Sequence, residues 1–240
     1  MSKVSPPAKA RPTRNDSQRQ AILDAASLLF IEKGFAGTNI NDIADAVGVT
    51  RTALYYYFAS KELILIALTD EVTEKASQLA QTVSRRGDLP PDEALRQLIE
   101  QHAGLILSHP LQFRVVERSE SSLPEPHRSA AEAARRTVLD HFVRVVARGM
   151  EEGVFRATHA RVAAFSIIGM CNWCAWWFDP DGDVSAEEIA AEIAELGLRA
   201  VASGQDGRDP AATLDSALAQ MRTALDAMEG HLKGRRPKKG

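Results

Sequence analysis

"TNINDIADAVGVTRTALYYYFASKE", residues 38–62, decides the architecture. Ile40, Ile43, Ala44 and Val47 recur at helical spacing, and Thr38 stands where a helix N-cap belongs. Gly48 follows at once and suits a tight left-handed turn. A second short helix should start at Thr50 or Arg51 and run to Tyr57, with Leu54 and Phe58, four apart, as its packed face. Ser60 then caps a longer helix, with Glu62 in its first turn where the helix dipole favours an anion. Upstream, Asp16 can cap a helix reaching about Lys33. Its Ile22, Ala25, Ala26, Leu29 and Phe30 share one face, and Gly34 supplies the left-handed end. Two short helices joined by a glycine turn and braced by a longer amphipathic one make a helix-turn-helix. Its second helix can enter the ~12 Å wide major groove of DNA.

All the tyrosines of the chain stand together, as Tyr55, Tyr56 and Tyr57. Successive helical residues lie about 100° apart, so the three rings cannot share a packed face. Tyr55 is expected to lean toward the fold, Tyr56 toward the groove and Tyr57 toward the DNA backbone. Arg51 can bridge guanine O6 and N7, and Thr52 can offer a methyl or a hydroxyl to a base. Lys61, at the start of the next helix, suits a phosphate.

The stretch "QRQAILDAASLLFIEKGFAGTNINDIADAVGVTRTALYYYFASKELIL" resembles the DNA-binding domain of the TetR family of bacterial repressors. The match runs without a gap over about residues 17–65, through ILDAA, LF, KGF, the T…I…IA…GV pattern and LY..F.SKE.L. The resemblance implies phosphate contacts at Thr38, Tyr57 and Lys61, and base contacts at Arg51, Thr52 and Tyr56. It places Tyr55 at a tyrosine that partly packs and can hydrogen-bond a phosphate. Ala53 stands where the family often has Gly, and Tyr57 where it often has His.

The chain has 240 residues, 45% hydrophobic and 25% charged, with little strand signal, so an all-α class is expected. Two cysteines, Cys171 and Cys174, are too few for a disulfide scaffold and suit a reducing cytosol. No signal peptide is expected in MSKVSPPAKARPTR. The uncharged run Val162 to Phe178 is too short for the ~20 residues of a membrane span, so no membrane partner is expected and the location should be cytoplasmic. The net charge of −3 is uneven: residues 1–20 carry +4 and residues 231–240 carry +5, which leaves −12 for the body. Basic ends beside a DNA-binding unit can add attraction to phosphate.

Further helices are expected over 91–108, 111–121, 126–151, 159–178 and 185–203. The resulting organisation is a basic arm (1–14), the helix-turn-helix domain (15–65), a helical effector-binding and dimerisation domain (66–204), and a linker, short amphipathic helix and basic tail (205–240). In the last segment Leu214, Leu218, Met221, Leu225, Met228 and Leu232 form a short a/d seam. Helix 159–178 is apolar nearly all round and must be covered on more than one side. A two-fold four-helix interface built from it and helix 185–203 would use Phe165, Ile168, Trp176, Trp177, Ile189, Ile193 and Leu196.

Cys171 and Cys174 form CxxC without a second ligand pair, which favours buried structural thiols over a metal site. The surrounding aromatic cluster resembles TetR-like regulators of lipid and steroid breakdown, which implies an acyl-CoA ester as effector. Phe113, Phe142, Asn172 and Trp173 are the candidate effector-binding residues, with Asn172 the polar anchor in an apolar wall. Arg128, Arg135, Arg136, Arg144 and Arg148 could hold CoA phosphates. Glu125, Glu132 and Asp140 interleave with them, so a salt-bridged face is the simpler reading. No catalytic set, metal cluster or cofactor motif is read. The expected function is that of a homodimeric repressor on a palindromic operator in double-stranded DNA, released by a small hydrophobic effector. The alternative is a ligand-binding or scaffold protein that uses its helix-turn-helix for protein contacts.

Overall fold

The computed structural model describes residues 14–203. Within them the chain is helical throughout: α1 (Arg14–Gly37), α2 (Ile40–Val47), α3 (Arg51–Tyr57), α4 (Lys61–Ser84), α5 (Pro91–Ser108), α6 (Pro110–Ser119), α7 (His127–Glu151), α8 (Ala160–Trp177) and α9 (Ala186–Val201). A single 3-10 turn, Glu120–Ser122, follows α6. The all-α expectation holds. The arm, all but its last residue, and the amphipathic tail lie outside the described residues.

The ends of the short helices follow from local chemistry. Gly34 has positive φ (74°), as its position suggested, yet a helical turn resumes beyond it to Gly37. The cap of α2 is Asn39, not Thr38. The Asn39 Oδ1 accepts from the backbone N–H groups of Asn41 (2.9 Å) and Asp42 (3.0 Å). Asp42 reaches back to the Asn39 N–H at 3.2 Å, closing a capping box. That backbone bond, with help from Lys33, holds the Asp42 carboxyl below its usual range. The amide Oδ1 has a nearby, aligned N–H to accept, whereas the Thr38 hydroxyl is turned inward and donates to the carbonyls of Gly34 (2.9 Å) and Leu29 (3.2 Å). Gly48 ends α2 at φ 72°, Thr50 caps α3 through the Ala53 N–H (3.1 Å), and Ser60 caps α4.

Two apolar clusters result. The first joins α1, α2, α3 and the start of α4 around Ile22, Leu23, Ile43, Leu54 and Ile64, and it is completed by Val115, Leu123 and Ala131 from farther along the chain. The second fills the body among α4, α5, α7, α8 and α9. Helix α6 lies between them: Val115 is buried in the first cluster and Phe113 in the second. The boundary expected near residue 65 falls inside α4. Gly197 brings α9 close to α5, where an added Cβ would sit 2.7 Å from Ile99 Cδ1.

Candidate nucleic-acid interface and effector cavity

Helix α3 buries Leu54, its C-cap buries Phe58, and the helix exposes Arg51, Thr52, Tyr55 and Tyr56. Positions i, i+1, i+4 and i+5 form one contiguous face, which gives the helix a reading surface with an apolar anchor behind it. Tyr56 is the most exposed ring, at 77%. The Arg51 guanidinium donates to the Tyr55 hydroxyl (3.1 Å from Nη2) and lies 5.4 Å over that ring. Tyr55 therefore faces outward and steadies Arg51, rather than leaning into the fold. Tyr57 is the ring that packs: it is half-buried against the first cluster and lines a groove with Arg14, Asn15 and Gln18 of α1. The packing of the two rings is the reverse of the expectation: Tyr57, beside α1, rests against the first cluster, and Tyr55 is the more exposed.

Two expected phosphate contacts are otherwise engaged. Thr38 is buried, with its hydroxyl committed to backbone carbonyls. The Lys61 ammonium donates to the carbonyls of Phe35 (2.8 Å) and Thr38 (2.7 Å), reaches that of Ala36 (3.4 Å), and sits 4.6 Å over the Phe35 ring. The Phe35 and Ala36 carbonyls lie in the last turn of α1, and that of Thr38 in the corner that follows. Lys61 thus ties the start of α4 to the α1–α2 corner.

In the body, a cavity of about 660 Å³ opens among α4, α5, α6, α7 and α8. Its apolar wall includes Val72, Ala76, Phe113, Val116, Val138, Leu139 and Ile168. Its polar lining includes Thr73 from α4, His102 from α5 and Asn172 from α8, with His102 Nε2 and Asn172 Oδ1 3.1 Å apart. Burial lowers the His102 pKa and the Asn172 bond only partly restores it, so the ring is neutral near pH 7. Glu117, also on the wall, has its carboxyl raised by burial. Arg135, Arg136 and Arg161 line the outer part, paired respectively with Glu120, with Glu132 at 3.2 Å and with Asp140 at 3.7 Å. The salt-bridged reading of the Arg-rich helix describes Arg136–Glu132 and Arg128–Glu125, whereas Arg135 pairs with Glu120 of the 3-10 turn and Asp140 with Arg161 of α8.

Of the four candidate effector residues, Phe113 and Asn172 line the cavity. Phe142 is fully buried in the body core, edge-on to His102 at 5.8 Å. Trp173 points outward at 64% exposure and stacks on Trp176, 5.9 Å away. His102 was not singled out by sequence reasoning. The signal was present: Leu98, His102 and Ile106 step by four along the buried face of α5, which makes His102 the polar position on an apolar stripe.

The candidate dimer residues also separate. Ile189 and Ile193 are buried against the molecule's own core, and Ile168 is half-buried on the cavity wall. Phe165, Trp176, Trp177 and Leu196 remain exposed, joined by Val162 and Trp173. The apolar stripe of α9, expected as an intermolecular face, covers α5. Burial raises both thiols, and that of Cys171 is pushed up to about 12. Among the described residues no helix is long and apolar enough to cross a membrane.

Comparison with known proteins agrees with this layout. Residues 22–68 match the family model for bacterial regulatory proteins of the tetR family, and residues 88–201 match that for the tetracyclin repressor-like C-terminal domain. The HTH-type transcriptional repressor KstR2 of Mycobacterium tuberculosis is 25% identical over 189 residues, covering 76% of this chain and 92% of that protein. The crystal structure of the TetR family regulator PfmR from Thermus thermophilus is 33% identical, covers 74% of this chain and 97% of its own, and superposes with a TM-score of 0.67. AibR, solved with isovaleryl coenzyme A and operator DNA, shares the fold at 24% identity, 75% and 97% coverage, and a TM-score of 0.63. A helix-turn-helix whose reading face and bracing helix are both in place, joined to a matching helical body, makes this chain a member of the TetR family of transcriptional regulators.

Proposed function

We propose that the protein is a cytoplasmic homodimeric repressor that binds a palindromic operator and is released by a small hydrophobic effector held in the α4–α8 cavity. The observation that carries the reading is the double role of α6. Val115 is part of the DNA-binding cluster, while its neighbours Phe113, Val116 and Glu117 line the cavity. A ligand that moves α6 therefore bears directly on the packing of the reading head. Such coupling requires that the ligand prefer one of the two arrangements.

Dimerisation is supported by the exposed stripe of Val162, Phe165, Trp173, Trp176 and Trp177 on α8, extended by Leu196 on α9. Apolar patches of this kind mark interaction sites on soluble proteins. Phe165 and Gly169 border the cavity as well, so a partner on this stripe would lie across its mouth. An acyl-CoA ester is the effector class to test first. Its acyl chain matches the apolar wall, and the rim pairs of Arg136 and Arg161 are exposed and cheap to exchange for phosphates.

The test is binding to the protein's own promoter region across a salt titration. A steep loss of affinity with salt, together with preference for one palindrome, is expected. Equal binding to random DNA would favour a scaffold role for the helix-turn-helix. Addition of acyl-CoA esters of graded chain length should then dissociate the complex, and inertness of the whole series would remove that effector class.

A further inference from the structure

We propose that His102 and Asn172 are the specificity-determining pair of the cavity, and that they read a neutral hydroxyl or carbonyl oxygen on an otherwise apolar ligand. The proposal rests on the cavity being the effector site, and it names what that site recognises.

The two side chains come from different helices, 70 positions apart in sequence, and meet on the cavity wall at 3.1 Å. With Asn172 Oδ1 facing Nε2, the ring nitrogen donates and the amide oxygen accepts. Nδ1 of His102 is then left as an acceptor and Nδ2 of Asn172 as a donor, and neither has a partner among the described residues. Asn172 lines the cavity, so its free N–H can be given to a ligand. The oxygen of a hydroxyl or of a carbonyl can accept the Asn172 amide N–H, while the bond from His102 holds that amide in place. The apolar lining of the same cavity includes Ala76, Phe113, Leu139 and Ile168.

The same wall argues against an anion at this position. Charging His102 to meet a carboxylate would oppose the burial that holds the ring neutral. The cations among the described lining residues, Arg135, Arg136 and Arg161, stand on the outer part and are each paired with a carboxylate, and Glu117 adds a further acid. A thioester carbonyl satisfies the pair as well as a ketone does, so the inference is compatible with an acyl ester whose charged part stays at the rim.

A matched set of naphthalene, 2-naphthol, 2-acetonaphthone and 2-naphthoate tests this by equilibrium dialysis against the full-length protein. The naphthol and the ketone are expected to bind about threefold to tenfold more tightly than naphthalene, the range of one net hydrogen bond, and the carboxylate more weakly than either. In Asn172→Leu and, separately, His102→Phe, each confirmed as folded by circular dichroism, the ratio of naphthol or ketone affinity to naphthalene affinity should fall to about one. Tightest binding of 2-naphthoate, or a preference that survives both substitutions, would overturn the assignment. Binding of the set without any preference would sink this inference and leave the cavity reading standing. Failure of all four to bind would remove both.

Discussion

Lys61→Met separates two roles for the lysine at the start of α4. Methionine keeps an apolar stem over Phe35 and removes the three N–H donors. The lost interactions are two short bonds to carbonyls, 2.8 and 2.7 Å, and a ring contact at 4.6 Å. Bonds from a charged donor contribute about 1.5–3 kcal/mol each when well desolvated. Lys61 is only half-buried and water can replace part of what is lost, so we expect a net cost of about 2–3 kcal/mol. At about 2–4 °C per kcal/mol for a chain of this size, the unfolding midpoint should fall by roughly 4–12 °C. Affinity for DNA should drop evenly across operator variants because the α1–α2 corner loosens. The decisive measurement is the slope of log K against log salt. A lost phosphate contact lowers its magnitude by about 0.9, whereas a lost internal tie leaves it nearly unchanged. A slope reduced by about 0.9 with an unaltered melting point would refute the argument and return Lys61 to the DNA backbone.

Arg51→Ala should weaken specific binding by about 1–3 kcal/mol and relax one operator position, measured by competition among single-base variants; Tyr55→Phe, which removes the hydroxyl that steadies Arg51, should give a smaller loss at that same position. Phe165→Glu places a charge in the exposed α8 stripe and should shift the protein toward monomer in analytical ultracentrifugation with its helical content intact; an unchanged dimer would move the interface elsewhere. With its thiol pushed up to about 12 by burial, Cys171 should resist iodoacetamide at pH 8 in the folded protein and react promptly once unfolded, as read by mass spectrometry. Asn39→Ala removes the capping box of α2 and should cost about 1 kcal/mol of stability, seen as a lower denaturant midpoint.

The elements of the reading head were legible in the sequence because their signals are local. Helical spacing fixes the faces of α1 and α2, and Gly48 and Ser60 mark turns and caps within a few residues of their effect. The errors arose where a neighbour distant in sequence decides. Thr38 yields the cap to Asn39 because carbonyls of α1 take its hydroxyl. Tyr57 packs because α1 lies behind it. Periodicity identifies an apolar face but not its partner, so Ile189 and Ile193 read equally well as intermolecular contacts or as the cover of α5. The cavity is the extreme case. Phe113, His102 and Asn172 stand on three helices, and their meeting depends on crossings that no spacing encodes.

The completion of the DNA-binding cluster by Val115, Leu123 and Ala131, all nearly inaccessible to solvent, has a consequence for engineering. The head is not a detachable module. A chimera joined at residue 65, with a foreign head on this body, would set a new α1 against an α6 shaped for another surface. It would inherit an operator preference and lose the wiring that lets a ligand alter it. Grafts that carry α6 along with the head, or that restore complementary volumes at these three positions, are the ones expected to remain both soluble and inducible.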